Sequence, residues 1–290
     1  MSISDDFKQF CCNLSMSDYT VEKIRDRYHK ITKRINLEYW GAVSDFRHSL
    51  YAGSYGRGTA IYTSDLDIIV ELPWSIYNKY NDYTSNGQSQ LLYNVRNALA
   101  KTYSTSKVKG DGQVVGISFS DGISFEIVPA FENSDKSYTH IDTNNGGKWK
   151  NTNPRSEIAA MNELNKTTNG NLKRLCKMIR SWKNVNNVDM SGILIDTLAY
   201  RFIKQWRHKE ESYLYYDWMS RDFFKFLLNE SDKRYWLTPG SSRYVYKNGE
   251  FKFKAKKAYE LANEATNNYK DYPNYSREKW REIYGTKFPV

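Results

Sequence analysis

The sequence predicts a bilobal α+β protein, in which a sheet lobe braced by a long N-terminal helix precedes a helical lobe. Runs rich in β-branched residues indicate strands in the first half of the chain. Apolar residues spaced three and four apart indicate one long helix near the N-terminus and several helices after residue 153. Residues 133–153 are rich in Asn, Asp, Gly and Lys, which favours a loop. We therefore expect one lobe over residues 1–153 and a second over 154–290.

The long helix is predicted over residues 17–40. Its apolar stripe consists of Val21, Ile24, Tyr28, Ile31 and Ile35. Ser17 or Thr20 can cap the first turn, because a hydroxyl there accepts a hydrogen bond from a free backbone N–H group. A single apolar stripe with a basic remainder fits a helix that braces the first lobe and keeps its charges in solvent.

The first lobe is predicted to contain strands at about 48–53, 64–72, 113–119 and 123–128, and a helix over 76–104. Asp121-Gly122 separates the last two strands, and Asp-Gly between β-rich runs is a strong hairpin signal. Pro129 is expected to end the second strand of that hairpin, because proline cannot donate to a ladder.

The second lobe is predicted to be helical. Its first helix carries the stripe Leu172, Leu175, Ile179 and Trp182, and further helices are expected at 191–206, 213–229, 255–268 and 276–284. Residues 244–253 are expected to form a short hairpin around Asn248-Gly249.

The composition favours a reduced, cytoplasmic protein without a membrane partner. No apolar run approaches the ~18 residues of a membrane span, and the first residues lack a basic-then-apolar signal pattern. The three cysteines have no zinc-binding spacing and suggest no disulfide framework. The net charge of +10 favours polyanionic partners, either nucleic acid or nucleoside triphosphates.

The most informative segment is Gly53-Ser54-Tyr55-Gly56-Arg57-Gly58-Thr59, followed by Ser64-Asp65-Leu66-Asp67. A Gly-Ser turn can bring backbone N–H groups and a hydroxyl against phosphate. Asp65 and Asp67 stand at i and i+2 of an expected strand, so both carboxylates should point to one face, about 6–7 Å apart along the backbone. Carboxylate oxygens are the ligands that Mg²⁺ prefers. The segment therefore predicts metal-assisted phosphoryl or nucleotidyl transfer.

Glu126 is the best candidate for a third acidic metal ligand. It lies inside the apolar run Phe125-Glu126-Ile127-Val128, where a carboxylate is costly without a partner. A metal would supply that partner, and a salt bridge to a buried Arg or Lys is the other interpretation. Asp121 is the rival, but it lies in the hairpin turn, where Asp has a structural reason to be.

These motifs resemble those of the polymerase-β-like nucleotidyltransferase superfamily, whose G-S…S-D-x-D pattern is similar to the segment from Gly53 to Asp67. The run from Phe125 to Phe131, with its Val-Pro tail, is similar to the third-acid strand of the branch that contains cyclic GMP–AMP synthase and oligoadenylate synthase. That position is commonly Asp in the branch and is Glu126 here. Length and motifs together resemble the bacterial cGAS/DncV-like nucleotidyltransferases, with a mixed polymerase-β-like sheet and a helical lobe that completes the nucleotide cleft.

The resemblance implies a set of nucleotide-binding residues. In the family's basic helix, Lys177 and Arg180 are three apart and would share a face toward the triphosphate; a solvated basic face is the alternative. Ser191 matches a polar position at the start of the following helix, where the helix dipole favours anions. With the Gly-Ser turn, the implied nucleotide-binding residues are Gly53, Ser54, Arg57, Lys177, Arg180 and Ser191.

The resemblance also implies the reaction. Asp65, Asp67 and Glu126 would be both catalytic residues and the ligands of two Mg²⁺ ions, with Mn²⁺ able to substitute. The substrates would be nucleoside triphosphates, with ATP or GTP favoured over pyrimidine nucleotides, and nucleic acid would not be required. The product would be a cyclic dinucleotide or small cyclic oligonucleotide, a second messenger of bacterial anti-phage defence that is sensed by an effector protein.

Three alternatives stay open at the level of the sequence. One is a linear polymerase or a nucleotidyltransferase that acts on RNA 3′ ends. Another is nucleotidylation of a protein or a small molecule. The third is a non-catalytic nucleic-acid sensor, which the intact acidic residues Asp65, Asp67 and Glu126 disfavour.

Overall fold

A computed structural model describes residues 2–290 of the chain. These residues divide into two compact units. The sheet unit comprises Met16–Arg57 and Tyr62–Ser156, and the helical unit comprises residues 2–15, Gly58–Ile61 and Glu157–Val290. The division falls close to the boundary expected at Asn153–Pro154. It differs from the expectation in giving residues 2–15 and Gly58–Ile61 to the helical unit.

The helices are α1 (Ile3–Asn13), α2 (Asp18–Tyr39), α3 (Gly53–Gly56), α4 (Trp74–Asn81), α5 (Gly87–Ala100), α6 (Pro154–Thr167), α7 (Asn171–Val185), α8 (Gly192–Gln205), α9 (Tyr216–Glu230), α10 (Lys252–Asn268) and α11 (Pro273–Tyr284). The strands are β1 (Ser49–Tyr51), β2 (Leu66–Glu71), β3 (Lys107–Asp111), β4 (Val114–Ser118), β5 (Ser124–Glu132), β6 (Tyr138–Asp142), β7 (Lys148–Thr152), β8 (Tyr235–Leu237) and β9 (Tyr244–Tyr246). This α+β composition, a sheet unit and a helical unit, confirms the predicted fold class.

The sheet of the sheet unit is mixed. Within the described residues its strand order is β1-β2-β5-β4-β3, and β6 and β7 extend it from the far end of β5. β2 and β5 run parallel, whereas the other neighbouring strands are antiparallel. The parallel pair places the strand of the Asp-x-Asp motif directly beside the strand that carries Glu126.

The second strand of the Asp-Gly hairpin is longer than expected. The hairpin itself is confirmed, since Ser118 on β4 pairs with Ser124 on β5. Pro129 does not end β5, which runs on to Glu132. On the side of β5 away from β2, the pairing with β4 covers Ser124 to Ile127 and the pairing with β6 covers Ala130 to Glu132, so neither strand lies opposite the proline there.

Residues 133–153 are not the loop that their polar composition suggested. They contain the β6–β7 hairpin, and Tyr138, His140 and Ile141 of β6 are buried. The helix expected over 76–104 is divided into α4 and α5. The expectation of a hairpin around Asn248-Gly249 is also wrong, because β9 pairs with β8, the strand that precedes it in the sequence.

α2 confirms the predicted long helix and its cap. The Ser17 side chain accepts a hydrogen bond from the Thr20 backbone N–H (3.2 Å). Ile24, Ile31 and Ile35 of the predicted stripe are buried in the core of the sheet unit. α2 positions the sheet through this packing, and the polar face of the helix contacts the β4–β5 turn.

α1 is a helix that the sequence interpretation missed. Ser2 and Asp5 form a capping box at its start. Phe7, Phe10 and Leu14 step by three and four, and all are buried in the core of the helical unit. Within residues 2–290, no helix combines the length and the apolar character needed to span a membrane.

Candidate active site

The Gly-Ser turn lies directly against one carboxylate of the Asp-x-Asp motif. The Ala52 backbone N–H donates to the Asp67 carbonyl oxygen (2.8 Å), which ties the turn to β2. Gly53 begins α3 with φ +54°, and a Cβ atom there would overlap the Asp67 carboxylate. Only glycine allows this approach, because it has no Cβ and tolerates positive φ. The sequence thus places the backbone of Gly53 and Ser54 beside Asp67.

Asp67 and Glu126 are neighbours on the sheet. They are register partners on the parallel strands β2 and β5, so their side chains lie on the same face. The adjacent residues Leu66 and Ile68 are buried on the other face. The structure therefore brings these two predicted acids together through strand pairing.

Asp65 reaches the site differently from the expectation. It precedes β2, which begins at Leu66, and its φ is +57°. The argument that Asp65 and Asp67 share a strand face is therefore wrong for Asp65, whose backbone adopts a left-handed conformation that few L-residues adopt. Its backbone N–H donates to the Ser124 hydroxyl oxygen (2.9 Å), and that hydroxyl lies 3.4 Å from Asp65 Oδ1. Ser124 is a positioning residue that the sequence interpretation missed, although it stands two residues before Glu126 on the same strand face.

The three acids crowd one another. Burial raises the pKa of Asp67, the Asp65 carboxylate raises it further, and the Arg57 guanidinium opposes the shift. Burial also raises the pKa of Glu126, with contributions from Asp67, Asp65 and Asp111. Carboxylates that repel one another in a partly desolvated site favour a bound cation.

The donor set fits a hard divalent cation. Asp65, Asp67 and Glu126 offer carboxylate oxygens, which suit Mg²⁺ or Mn²⁺. Among the described residues 2–290, no group of three or more acidic, histidine or cysteine side chains is already arranged to hold a metal ion. The adjacent pair of Asp67 and Glu126, with Asp65 held beside it by Ser124, supplies the groups that would bind such an ion.

Asp121, the rival for the third acid, has partners of its own. Both terminal nitrogens of Arg27 donate to its two carboxylate oxygens (2.9 Å each), and Lys23 Nζ donates at 3.2 Å. These bonds, Arg27 first, hold the pKa of Asp121 well below its usual range. Asp121 therefore fastens the β4–β5 turn to α2.

Arg57, predicted to bind nucleotide, lies at the end of α3. Its side chain is buried, and its charge acts on Asp67. This position lets Arg57 favour the ionised form of that carboxylate.

The basic helix of the second lobe is α7, in the helical unit. Burial lowers the pKa of Lys177, and Lys173, Arg174 and Arg180 lower it further. The Lys177 side chain makes no hydrogen bond or ion pair with any other residue in the range 2–290. Lys173, Arg174 and Lys177 line a cavity of about 300 Å³ within this unit. A partly buried cation without a partner favours an anion.

Arg180 does not share a solvent-facing surface with Lys177, which corrects that expectation. Its guanidinium is buried and forms two hydrogen bonds with the Asp196 carboxylate (2.6 and 3.0 Å) and one with the Gly192 carbonyl oxygen (3.1 Å). A buried Asp196 requires this cation, because an unpaired carboxylate inside a core is unstable. Arg180 thus joins α7 to α8.

Ser191 is the N-cap residue of α8. Its hydroxyl oxygen accepts a hydrogen bond from the Leu194 backbone N–H (3.3 Å). The serine thus stands at the helix N-terminus, as the sequence indicated, and it has a structural role there.

Comparison with known proteins decides the family. Residues 1–165 match the family described as the Second Messenger Oligonucleotide or Dinucleotide Synthetase domain (SMODS). The chain belongs to this family. The enzyme class expected from the sequence, a metal-dependent nucleotidyltransferase that makes cyclic oligonucleotide second messengers, is confirmed at the level of the family.

The similar proteins agree with this assignment. The cyclic AMP-AMP-AMP synthase of Acinetobacter sp. is 22% identical over 253 residues, which are 83% of this chain and 73% of that protein. CdnC of E. coli MS115-1, solved with ATP, has 14% identity and a TM-score of 0.73 over 98% of each chain. CdnG of Bradyrhizobium diazoefficiens, solved with GTP, has 12% identity and a TM-score of 0.71 over 99% of this chain and 96% of that one. The two solved structures share the fold of this chain.

Proposed function

We propose that this chain condenses nucleoside triphosphates, ATP among them, into a cyclic dinucleotide or small cyclic oligonucleotide and releases pyrophosphate. The observation that carries the proposal is the position of Asp67 and Glu126, register partners on the sheet beside the Gly53–Ser54 turn. ATP is favoured because the Acinetobacter relative is a cyclic AMP-AMP-AMP synthase and because CdnC was solved with ATP. GTP is the alternative, since CdnG was solved with it.

Asp65, Asp67 and Glu126 would hold two Mg²⁺ ions, for which Mn²⁺ is expected to substitute. When bound, such ions lower the pKa of the attacking hydroxyl and stabilise the charge that develops on the α-phosphate. Their binding is supported by the raised pKa values of Asp67 and Glu126, because a cation offsets the repulsion that raises them.

The residues of this chain bind and orient the triphosphate. Backbone N–H groups of the Gly53–Ser54 turn and the Ser54 hydroxyl donate to phosphate oxygens. Lys177 supplies a charge-assisted contact to the phosphates, and Ser191 adds a polar contact at the start of α8. Arg180 acts as a positioning residue through Asp196, and we assign it no phosphate contact.

The reaction is a series of successive transfers, one for each nucleotide of the product. A ribose hydroxyl of the acceptor nucleotide loses its proton, and its oxygen forms a bond to the α-phosphorus of the donor while the bond to pyrophosphate breaks. A later transfer within the linear intermediate forms the closing phosphodiester bond and releases the last pyrophosphate. Each transfer converts one triphosphate into one phosphodiester and one pyrophosphate.

Product analysis tests the proposal. The protein is incubated with the four labelled nucleoside triphosphates and Mg²⁺ or Mn²⁺, the mixture is treated with phosphatase, and resistant products are measured by mass spectrometry. We expect a species whose mass equals that of its nucleoside monophosphates less one water for every nucleotide, as ring closure requires, and none from Asp67→Asn. A product that retains a 5′-triphosphate before phosphatase treatment, or one that requires added RNA, would assign the protein to linear polymerases. No product under any of these conditions would contradict catalysis.

The product should act through a second protein. A cyclic oligonucleotide made in the absence of nucleic acid carries information only if an effector protein binds it. We therefore propose a product-sensing effector as the partner of this enzyme, in anti-phage signalling. Equilibrium binding of the purified product to proteins encoded near the synthase tests this role, and binding of the linear intermediate with equal affinity would contradict it.

A further inference from the structure

The residues that follow the Gly-Ser turn are built into the core of the helical unit. The turn and the chain up to Arg57 belong to the sheet unit, whereas Gly58–Ile61, the post-turn segment, belongs to the helical unit. Within this segment Thr59 is fully buried, and Ile61 packs in the hydrophobic core of the helical unit. The helical unit therefore holds the stretch of chain that comes directly after the motif predicted to bind phosphate.

Thr59 is held by a buried charge. Its hydroxyl donates a hydrogen bond to Oδ2 of Asp196 on α8 (3.0 Å), and both residues are fully buried. Asp196 also accepts hydrogen bonds from two nitrogens of Arg180 on α7 (2.6 and 3.0 Å). A hydrogen bond to an ionised group is stronger than one between neutral groups, and more so away from water. One carboxylate thus joins α7, α8 and the post-turn segment.

Thr59 is close enough along the chain to fix the turn. Only Arg57 and Gly58 separate it from α3, and the Arg57 backbone N–H donates to the Gly53 carbonyl oxygen (3.2 Å). Gly58 has φ +71°, and a Cβ atom there would lie 3.0 Å from Lys173 Nζ, so glycine allows the close turn between α3 and Thr59. Two residues leave little slack, because each spans at most about 3.6 Å of chain. A displacement of Thr59 must therefore displace α3.

The ion pair does not depend on Thr59 for its own charge balance. Arg180 gives Asp196 one positive charge and a bond to each carboxylate oxygen, and it also donates to the Gly192 carbonyl oxygen (3.1 Å). Loss of the Thr59 hydroxyl leaves that pair in place. We therefore expect the loss to release the post-turn segment while α7 and α8 stay joined.

We propose that Thr59 is a positioning residue for the triphosphate. Through its hydrogen bond to Asp196 it fixes the post-turn segment, and the segment holds the backbone N–H groups and hydroxyl of the Gly53–Ser54 turn in place for the phosphates. This inference rests on the proposed function. It also gives the buried Arg180–Asp196 pair a role in substrate binding, one helical turn from Lys177 on the same helix.

Triphosphate binding tests the inference without turnover. Calorimetric titration uses the full chain, Mg²⁺ and an α,β-methylene analogue of ATP, with adenosine as the ligand that lacks phosphate. Thr59→Val removes the hydroxyl and should weaken binding of the analogue about tenfold, as for loss of a charge-assisted contact, while adenosine binding is retained. Thr59→Ser keeps the hydroxyl and should bind nearly as tightly as the wild type.

Thr197→Val is the matched control. Thr197 is also fully buried and stands next to Asp196, but its hydroxyl donates to the Ile193 carbonyl oxygen (2.8 Å) within α8. Both valine variants should melt below the wild type, because each loses a buried hydrogen bond. Only Thr59→Val should lose affinity for the analogue, which separates positioning from a general loss of stability.

A double-mutant cycle with Ser54→Ala shows whether Thr59 acts through the turn. If it does, the two losses of affinity overlap, and the double variant should bind about as weakly as the weaker single variant. Losses that simply add would mean that Thr59 and the turn act independently, and would overturn the inference.

The outcomes also separate this inference from the proposed function. Equal affinities of Thr59→Val and Thr197→Val would overturn the positioning role even if the wild type makes product. If affinity changes as expected but the wild type forms no oligonucleotide, the positioning role stands and the proposed function falls. Should the valine disturb folding, Thr59→Ser and Thr59→Ala are the pair to compare, because they differ only in the hydroxyl; equal affinities of these two would likewise overturn the role.

Discussion

Asp121 and Glu126 lie on the same hairpin, yet their surroundings give them opposite properties. Asp121 accepts hydrogen bonds from Arg27 and Lys23, which hold its pKa well below the usual range. Glu126 has carboxylates as its charged neighbours, and its pKa is raised by burial and by these acids. The ion-paired Asp121 holds the hairpin to α2, whereas the repulsion around Glu126 favours a bound cation. The surrounding charges, more than the residue type, therefore separate a structural carboxylate from a candidate metal ligand.

The cations of α7 differ in the same way. Arg180 is buried against Asp196 and joins two helices, whereas Lys177, one helical turn earlier, has no such partner among residues 2–290. In both units, the groups with satisfied charges hold the fold, and those with unsatisfied charges are the candidates for substrate and metal binding.

The largest expected effect follows from removing the crowded acids. Asp65→Asn with Asp67→Asn should abolish product formation, because loss of metal ligation and of the charge it organises costs about 4 kcal/mol or more, roughly a thousand-fold in rate. Product formation is measured by chromatography of labelled nucleotides, and folding by circular dichroism. Substantial product from the folded double variant would refute the assignment of these carboxylates to metal.

Substitutions of Arg180 and Lys177 in α7 should affect different properties, namely the stability of the fold and the binding of triphosphate. Arg180→Met leaves Asp196 buried without its cation and should lower the free energy of unfolding by about 3–5 kcal/mol. Lys177→Met should leave stability unchanged and weaken triphosphate binding about tenfold, while nucleoside binding is retained. Urea unfolding and calorimetric titration measure the two quantities. Equal losses of stability in both variants would remove the distinction drawn between them.

Glu126→Gln and Asp121→Asn compare the two acids of the hairpin directly. Glu126→Gln should lower the rate about a hundred-fold, since the site loses one of its negative charges. Asp121→Asn should leave the rate nearly unchanged and cost about 1 kcal/mol of stability or less, because its ion pair is partly exposed. Initial rates at saturating ATP and Mg²⁺ provide the test, with thermal melting alongside. A slow Asp121→Asn and an active Glu126→Gln would show that the third acid is Asp121.

Local patterns predicted much of the fold. The stripe of α2 and the Asp-Gly turn between β4 and β5 depend on neighbouring residues, and both are found where they were expected. The β6–β7 hairpin was missed because β7 is a polar edge strand whose residues remain largely exposed. Its pairing with β6, rather than its composition, makes it a strand.

The acids of the candidate site were proposed from the sequence, whereas their arrangement depends on tertiary structure. The pairing of Asp67 with Glu126 follows from strands that are distant in the sequence, and the left-handed backbone of Asp65 depends on Ser124 from another strand. Arg180 looked available because helical spacing shows which residues share a face, but not that Asp196 of the next helix occupies that face. Tertiary partners of this kind are absent from a single helix or strand pattern.

The smallest expected effect concerns stability without metal, and it has opposite signs for the two kinds of acid. The pKa of Asp67 in the folded chain lies above its ordinary value of 3.8, so its ionisation destabilises the metal-free fold as the pH rises through the folded pKa. Asp67→Asn should therefore raise Tm in EDTA at pH 7 by about 2–4 °C, for roughly 1 kcal/mol. The gain should shrink as the pH falls through the folded pKa and vanish below 3.8, where the wild-type carboxyl is protonated in both states. The folded pKa of Asp121 is lowered instead, so Asp121→Asn should lower Tm at pH 7 and lose its effect in acid.

Added Mg²⁺ should raise the Tm of the wild type more than that of Asp67→Asn, because the ion binds the folded state through this carboxylate. A lower Tm for Asp67→Asn in EDTA would mean that the carboxylate is structural, like Asp121, and would end the contrast between them.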